Sequence, residues 1–149
     1  MLDLFAGTGA FSFEALSRGA AHALVVDRDA GVVRQITESA RELGLHGEIR
    51  TARVDLLGDP AAAVRKLPDD PHGYSLVFAD APYAEIDSVE PLLNALVSAE
   101  KLAPGAWVVV ERPVAHDWSW PNGLASTADY RYGQTGISLG VYAPEKGTQ

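Results

Sequence analysis

Short continuous apolar runs alternate along this chain with stretches in which apolar residues recur every three or four positions. Runs of the first kind read as buried strands, and stretches of the second kind as amphipathic helices. Residues 1–5, MLDLF, read as the last turns of a strand, with Ala6-Gly-Thr-Gly9 as the loop after it. Apolar residues at 11, 13, 15 and 16 predict a helix over 11–17 that ends at Gly19, a C-cap. Residues 23–26, ALVV, form a short buried strand closed by Asp27. Val32, Val33, Ile36, Ala40 and Leu43 recur at helical spacing, and Gly44 stops that helix. Residues 49–54 alternate as a strand ending on Asp55, and Pro60 suits the first turn of a helix reaching Leu67. After the loop 68–73, residues 75–79 are a further buried strand, which halts on Asp80.

A helix follows over 88–100, with Val89, Leu92, Leu93, Leu96 and Val97 on one side. Pro104-Gly105 is expected to turn the chain into a strand over 107–111. Residues 127–132 and 137–143 flank Gly133-Gln-Thr-Gly136 and read as an antiparallel hairpin. No repeat or linker interrupts the 149 residues, so a single domain over 1–149 is expected. Strands alternating with helices imply an α/β fold: a doubly wound, Rossmann-like, mostly parallel sheet with an antiparallel hairpin at its C-terminal end. Ligands of such sheets bind at the carboxyl ends of the strands, where Asp27, Asp55 and Asp80 all stand.

Composition changes this picture little. The chain is 47% apolar and 21% charged, as ordinary globular proteins are. A net charge of -8 argues against broad, unspecific nucleic-acid binding, which relies on many Lys and Arg contacts to phosphates. Residues 106–110 are the longest clean apolar run and too short to cross a bilayer, so no membrane partner is expected. The start of the chain lacks the basic region of a signal peptide, and the absence of cysteine accords with a reducing compartment. A cytoplasmic location is therefore expected. His22, His46, His72 and His116 are scattered without ligand spacing, so no metal is expected.

The first loop carries the chemistry. Gly7 and Gly9 allow positive φ and close approach of the backbone to a ligand, and the helix start offers free N–H groups. Asp27, twenty residues after Gly7, is placed to accept hydrogen bonds from ribose hydroxyls. A dinucleotide would use the same features, which keeps a nicotinamide-dependent dehydrogenase open. Yet Ser12 occupies the third glycine position of that fingerprint, and Asp3 precedes the loop where it can hold an amino group directly or through water. A ligand with a ribose and an amino-acid end fits better than one with a pyrophosphate. S-adenosylmethionine is such a ligand, and Asp55 or the N–H of Leu56 would then read its adenine.

Leu2-Asp-Leu-Phe-Ala-Gly-Thr-Gly-Ala10, with Glu14-Ala-Leu-Ser-Arg-Gly-Ala20 after it, resembles the RsmD-type small-subunit rRNA guanine-N2 methyltransferases. Val25-Val-Asp-Arg-Asp29, Asp80-Ala-Pro-Tyr83 and Tyr132-Gly-Gln-Thr135 follow in that family's order. The resemblance implies a class I methyltransferase sheet that binds S-adenosylmethionine and releases S-adenosylhomocysteine. It implies cofactor contacts from Asp3, Phe5, Gly7, Gly9, Asp27, Arg28, Asp55 and Leu56. Its implied substrate is small-subunit (16S) rRNA, free or in the assembled small ribosomal subunit; the oligomeric state stays open.

The family's catalytic tetrapeptide reads Asp/Asn-Pro-Pro-Tyr/Phe, and the resemblance assigns that role to Asp80, Ala81, Pro82 and Tyr83. Asp80 and the Ala81 carbonyl would accept the two N–H bonds of an exocyclic amine, Pro82 would stiffen the turn, and Tyr83 would stack on the base. Ala81 stands where the family has proline, which keeps the carbonyl but loses a locked φ and the restriction on Asp80. Family members also carry a segment before the first motif, and that segment is expected to be missing here. An adenine-N6 or other amine methyltransferase, and a cofactor-binding relic with weakened activity, stay open as alternatives. Trp107, Trp118 and Trp120 read as packing residues, Tyr132-Gly133 as the hairpin entry, and Glu111 as a candidate substrate contact at the end of the fifth strand.

Overall fold

The computed structural model describes residues 1–144. Its seven strands are β1 (Leu2–Leu4), β2 (Ala23–Asp27), β3 (Ile49–Arg53), β4 (Tyr74–Ala79), β5 (Leu102–Pro113), β6 (Leu124–Tyr132) and β7 (Thr135–Tyr142). They form one sheet in the order β3-β2-β1-β4-β5-β7-β6. The neighbours from β3 to β5 pair parallel, whereas β7 runs antiparallel to both β5 and β6. The mostly parallel doubly wound sheet with its closing hairpin is therefore the architecture expected from the alternating pattern.

Four helices cover the sheet: α1 (Ala10–Ser17), α2 (Ala30–Glu42), α3 (Pro60–Arg65) and α4 (Val89–Ser98). Side chains alternate between the two faces of a strand, so each strand feeds two apolar layers. Leu2, Leu4, Val77, Ala79, Val108 and Val110 pack with Val64, Leu92, Leu93 and Leu96 of α3 and α4. Met1, Ala23, Val25 and Ile49 pack with Ile36 and Ala40 of α2, and with Phe13 and Leu16 of α1. Local signals start the helices. The Asp29 carboxylate accepts the Gly31 and Val32 N–H groups ahead of α2, which lowers its pKa. Asp59 caps α3 in front of Pro60, whose missing N–H costs nothing at that position.

Two elements differ from the pattern-based expectation. The segment after Asp80-Ala-Pro-Tyr83 first makes a 3₁₀ turn, Tyr83–Ser88, which buries Ile86, and only then becomes α4. Pro104-Gly105 does not turn the chain between elements but lies inside β5 as an irregularity. Tyr74 pairs with Leu102 and Leu76 with Trp107, so three extra residues bulge from β5, with Gly105 at φ 78°. The hairpin loop is also tighter than expected, since β7 begins at Thr135 and leaves only Gly133 and Gln134 between the strands. Gly133 takes φ 62° at the first loop position, where a two-residue II′ turn wants glycine.

The hairpin is fastened by a group with no periodic signature. Arg112 is buried; its guanidinium donates to both Asp129 carboxylate oxygens at 2.8 and 2.9 Å, to Ser138 Oγ at 2.8 Å and to the His116 carbonyl at 3.0 Å. Trp118 and Trp120 meet edge to face, ring centroids 5.3 Å apart, and pack against the core, whereas Trp107 stays exposed. Among the described residues no helix is long and apolar enough to cross a membrane. The chain runs from β1 outward through β2 and β3, then returns to lay β4 on the other side of β1. The loops leaving β1 and β4 diverge at that reversal, and a crevice opens between them.

Candidate active site

A cleft of about 440 Å³ occupies that crevice, within the usual range for small-molecule sites. Four loops line it: Phe5 and Gly7 after β1, Asp27 and Arg28 at the end of β2, Val54, Leu56 and Leu57 after β3, and Asp80, Ala81, Pro82 and Tyr83 after β4.

The first loop is held open by its backbone. Gly7 and Gly9 take φ 55° and 75°, and Phe5 joins them at φ 60°, a left-handed conformation that costs a bulky residue energy and clusters at functional sites. The Gly7 N–H donates to Asp27 Oδ2 at 3.1 Å, and the Asp29 N–H to Asp27 Oδ1 at 2.9 Å. Each Asp27 oxygen thus keeps a further acceptor site while its position is fixed from behind. The Gly9 side faces the protein instead: a Cβ there would sit 3.3 Å from both Ile36 and Phe13 side-chain atoms. Gly9 therefore closes the turn against α2 and does not line the cleft.

Asp3 lies beneath the cleft floor, 1% exposed. Its Oδ2 accepts from the Ser12 hydroxyl at 2.6 Å, while its Oδ1 is buried with no hydrogen-bond partner. Burial pushes its pKa up to about 6 against the opposing Ser12 bond, and the charges of Asp80 and Asp27 push the same way. The serine that breaks the dinucleotide fingerprint is thus the residue that orients this acid. A buried carboxylate oxygen without a donor is rare in folded proteins.

After β4, burial raises the Asp80 carboxyl above the usual carboxylate range. Burial likewise raises Glu111 on β5, and the Asp80 charge adds to it. Ala81 is buried at 1% exposure. Tyr83 opens the 3₁₀ turn, stands 45% exposed at the rim, and reaches Thr135 Oγ1 with its hydroxyl at 2.8 Å. Asp55 is exposed, and its Oδ1 accepts the Leu57 N–H at 3.0 Å, which turns the loop so that Leu56 and Leu57 face the cleft.

Of the residues singled out from sequence, the structure brings Phe5, Gly7, Asp27, Arg28, Leu56, Asp80, Ala81, Pro82 and Tyr83 around one cleft. Asp3 sits under it, and Gly9 and Asp55 shape its loops. Thr135 was visible only as part of Tyr132-Gly-Gln-Thr135; nothing local marked it as the partner of Tyr83. Val54 and Leu57 carried no signal beyond apolarity. Among the described residues no group of three or more His, Asp or Glu is gathered closely enough to hold a metal ion.

Known proteins resemble this chain in sequence and in fold. The family model described as Conserved hypothetical protein 95 matches residues 1–141. YlbH of Bacillus subtilis, described as a candidate rRNA methyltransferase, is 30% identical over 139 residues, which cover 93% of this chain and 73% of that protein. Ribosomal RNA small subunit methyltransferase D of Escherichia coli is 31% identical over 113 residues, 76% of this chain and 52% of the relative, so the match spans about half of that relative's length. A crystal structure of a candidate methylase from Haemophilus influenzae superposes with a TM-score of 0.81 at 23% identity, covering 96% of this chain and 86% of that one. An RNA methyltransferase from Salinibacter ruber, solved with S-adenosyl-L-homocysteine, gives 0.63 at 18% identity over 99% of this chain and 85% of that one. These last two likenesses concern the fold.

Proposed function

Because this chain belongs to the Conserved hypothetical protein 95 family, with rRNA methyltransferases among its relatives, we propose that it transfers a methyl group from S-adenosylmethionine to the exocyclic N2 of a guanine in small-subunit rRNA. The observation that carries the reading is the convergence of Asp80-Ala-Pro-Tyr83 on the same cleft as Gly7 and Asp27.

The residues fit the cofactor. Asp27 offers its remaining lone pairs to ribose hydroxyls, and the unpartnered Oδ1 of Asp3 suits an ammonium group, directly or through a water. Leu56 and Val54 supply apolar wall for an adenine. When bound, S-adenosylmethionine provides an activated methyl group on a sulfonium centre.

The chain's own work is to make a poor nucleophile competent. The lone pair of a guanine amine is delocalised into the ring. Asp80 accepts one N–H and the Ala81 carbonyl the other, which favours a pyramidal nitrogen with its lone pair directed out of the base plane. Tyr83 stacks on the base and fixes its height, and the hydrogen bond to Thr135 fixes the ring. Positioning of this kind contributes much of the acceleration in a displacement between two bound partners. Such a substrate places the protein in the cytoplasm, with the small subunit or its RNA as partner.

The test is transfer of labelled methyl to small subunits that lack the modification, followed by nucleoside analysis. Label in N2-methylguanosine supports the reading. Label in N6-methyladenosine makes the chain an adenine-amine enzyme, and no label makes it a cofactor-binding relic.

A further inference from the structure

Beside Asp80 the neighbouring strand carries a second acid, Glu111, that the reaction described above leaves unused. In the parallel ladder of β4 and β5, Ala79 stands opposite Val110. Asp80, just past the end of β4, and Glu111, still within β5, therefore stand at the same level on adjacent segments, with backbones about 5 Å apart. Ala79 and Val110 point together into the core beneath α3 and α4, so Glu111, the next residue of β5, points to the opposite face, and Asp80 follows directly on Ala79 at the end of β4. Both acids are half-buried there.

Among the described residues neither forms an ion pair with a cation. The ion pairs among the described residues involve Glu14, Asp69, Asp129 and, through His116, Asp87. Arg112, the residue next to Glu111, turns away to Asp129 and Ser138. Burial raises both carboxyls, and the Asp80 charge raises Glu111 further, so each is costly to ionise without a ligand. A ligand presenting two N–H donors side by side would relieve both. The Watson–Crick edge of guanine does so with N1–H and N2–H. Adenine presents N6–H next to the N1 lone pair, which a carboxylate repels.

We propose that Glu111 selects guanine over adenine by accepting N1–H of the target base, beside the amine held by Asp80. The proposal rests on the guanine-N2 reading above and assigns to it a specificity-determining residue. A site built to receive an N–H rejects a base lacking it more strongly than a site that merely fits its shape.

The test uses small-subunit RNA assembled by ligation with guanine or 2-aminopurine at the nucleotide that the wild-type chain labels. 2-Aminopurine keeps the reacting amine but carries a lone pair at N1. The wild type is expected to favour guanine by about 100-fold or more in kcat/KM. Glu111→Gln, whose carboxamide can donate to N1, is expected to narrow the ratio below about 10-fold, mainly by gain on 2-aminopurine. Glu111→Ala is expected to narrow it by loss on guanine. Binding of S-adenosylhomocysteine within about two-fold of wild type shows that the variants keep the cleft intact. A wild-type ratio near one, or the same ratio in wild type and both variants, would overturn the assignment of Glu111 alone. Failure of the wild type to label any guanine N2 would overturn the guanine reading and this assignment with it.

Discussion

The Tyr83 hydroxyl lies 2.8 Å from Thr135 Oγ1, which joins the end of the proposed catalytic tetrapeptide to the turn of a hairpin 52 residues further on. The ring of Tyr83 is 45% exposed, so this bond and the 3₁₀ turn are what hold it upright at the rim. Tyr83→Phe and Thr135→Val should each lower kcat by about 3- to 10-fold, and the double variant should be no worse than either single, because one bond is lost once. Tyr83→Ala removes the stacking surface as well and should cost about 10- to 100-fold in kcat/KM. Single-turnover transfer by the four variants checks the cycle.

Ala81 keeps the carbonyl that the proposed chemistry needs, but its φ is not locked. Ala81→Pro should raise kcat/KM a few-fold and add up to about 1 kcal/mol of stability if the turn accepts φ near -65°. Denaturant unfolding and transfer rates measure both. A relic that has lost transfer for other reasons would gain stability without gaining activity.

Asp3 gives a pH signature whose sign follows from its raised pKa. The acid ionises near 3.8 in the unfolded chain and near 6 in the fold, so its stabilising share is complete below the first value and lost as pH rises through the second. The full loss is about 3 kcal/mol, and Asp3→Asn should recover about 1–2 kcal/mol of it in the ligand-free protein at pH 8. The same substitution removes the acceptor proposed for an ammonium group. S-adenosylhomocysteine should bind the wild type about ten-fold more tightly at pH 7 than at pH 5, while Asp3→Asn binds weakly and with a flatter profile. Calorimetry at both pH values, beside thermal melts, checks the trade.

Arg112 is buried, and Asp129 supplies its counter-charge from β6. Asp129→Ala should leave an uncompensated cation and destabilise the protein by about 2 kcal/mol, less than a fully buried pair because Asp129 is partly solvated. Ser138 and Arg112 hold the Asp129 carboxyl below the usual carboxylate range, so this share of stability is present at neutral pH and lost as pH falls below the ordinary carboxylate value. Urea unfolding at pH 7 and pH 3 separates the two effects.

The sheet was legible because β2, β4 and the middle of β5 are short apolar runs, β3 alternates, and helical spacing separates β2, β3 and β4, a pattern that encodes a mostly parallel core. The cleft was legible because Gly7, Asp27 and Asp80 follow strand ends, where a doubly wound sheet gathers loops. What escaped is what depends on long-range contact. The bulge at Gly105 follows from the register between Tyr74 and Leu102, which no local signal carries. The 3₁₀ turn after Pro82 arises because Ile86 is drawn into the core before a full helical turn can form. Ser12 looked like a missing glycine, and only the fold reveals it as the hydrogen-bond donor to Asp3. The Arg112–Asp129–Ser138 clamp joins three strands by side chains whose spacing obeys no period.

The central claim is that the cleft between β1 and β4 moves a methyl group to guanine N2 with Asp80 as acceptor. Labelled S-adenosylmethionine, small subunits lacking the modification, and wild-type and Asp80→Ala chains run side by side test it most directly, with nucleosides resolved by mass. The account predicts label in N2-methylguanosine with the wild type and a rate about 100- to 1,000-fold lower with Asp80→Ala. Label in another nucleoside, no label with the wild type, or equal rates for the two chains would contradict it.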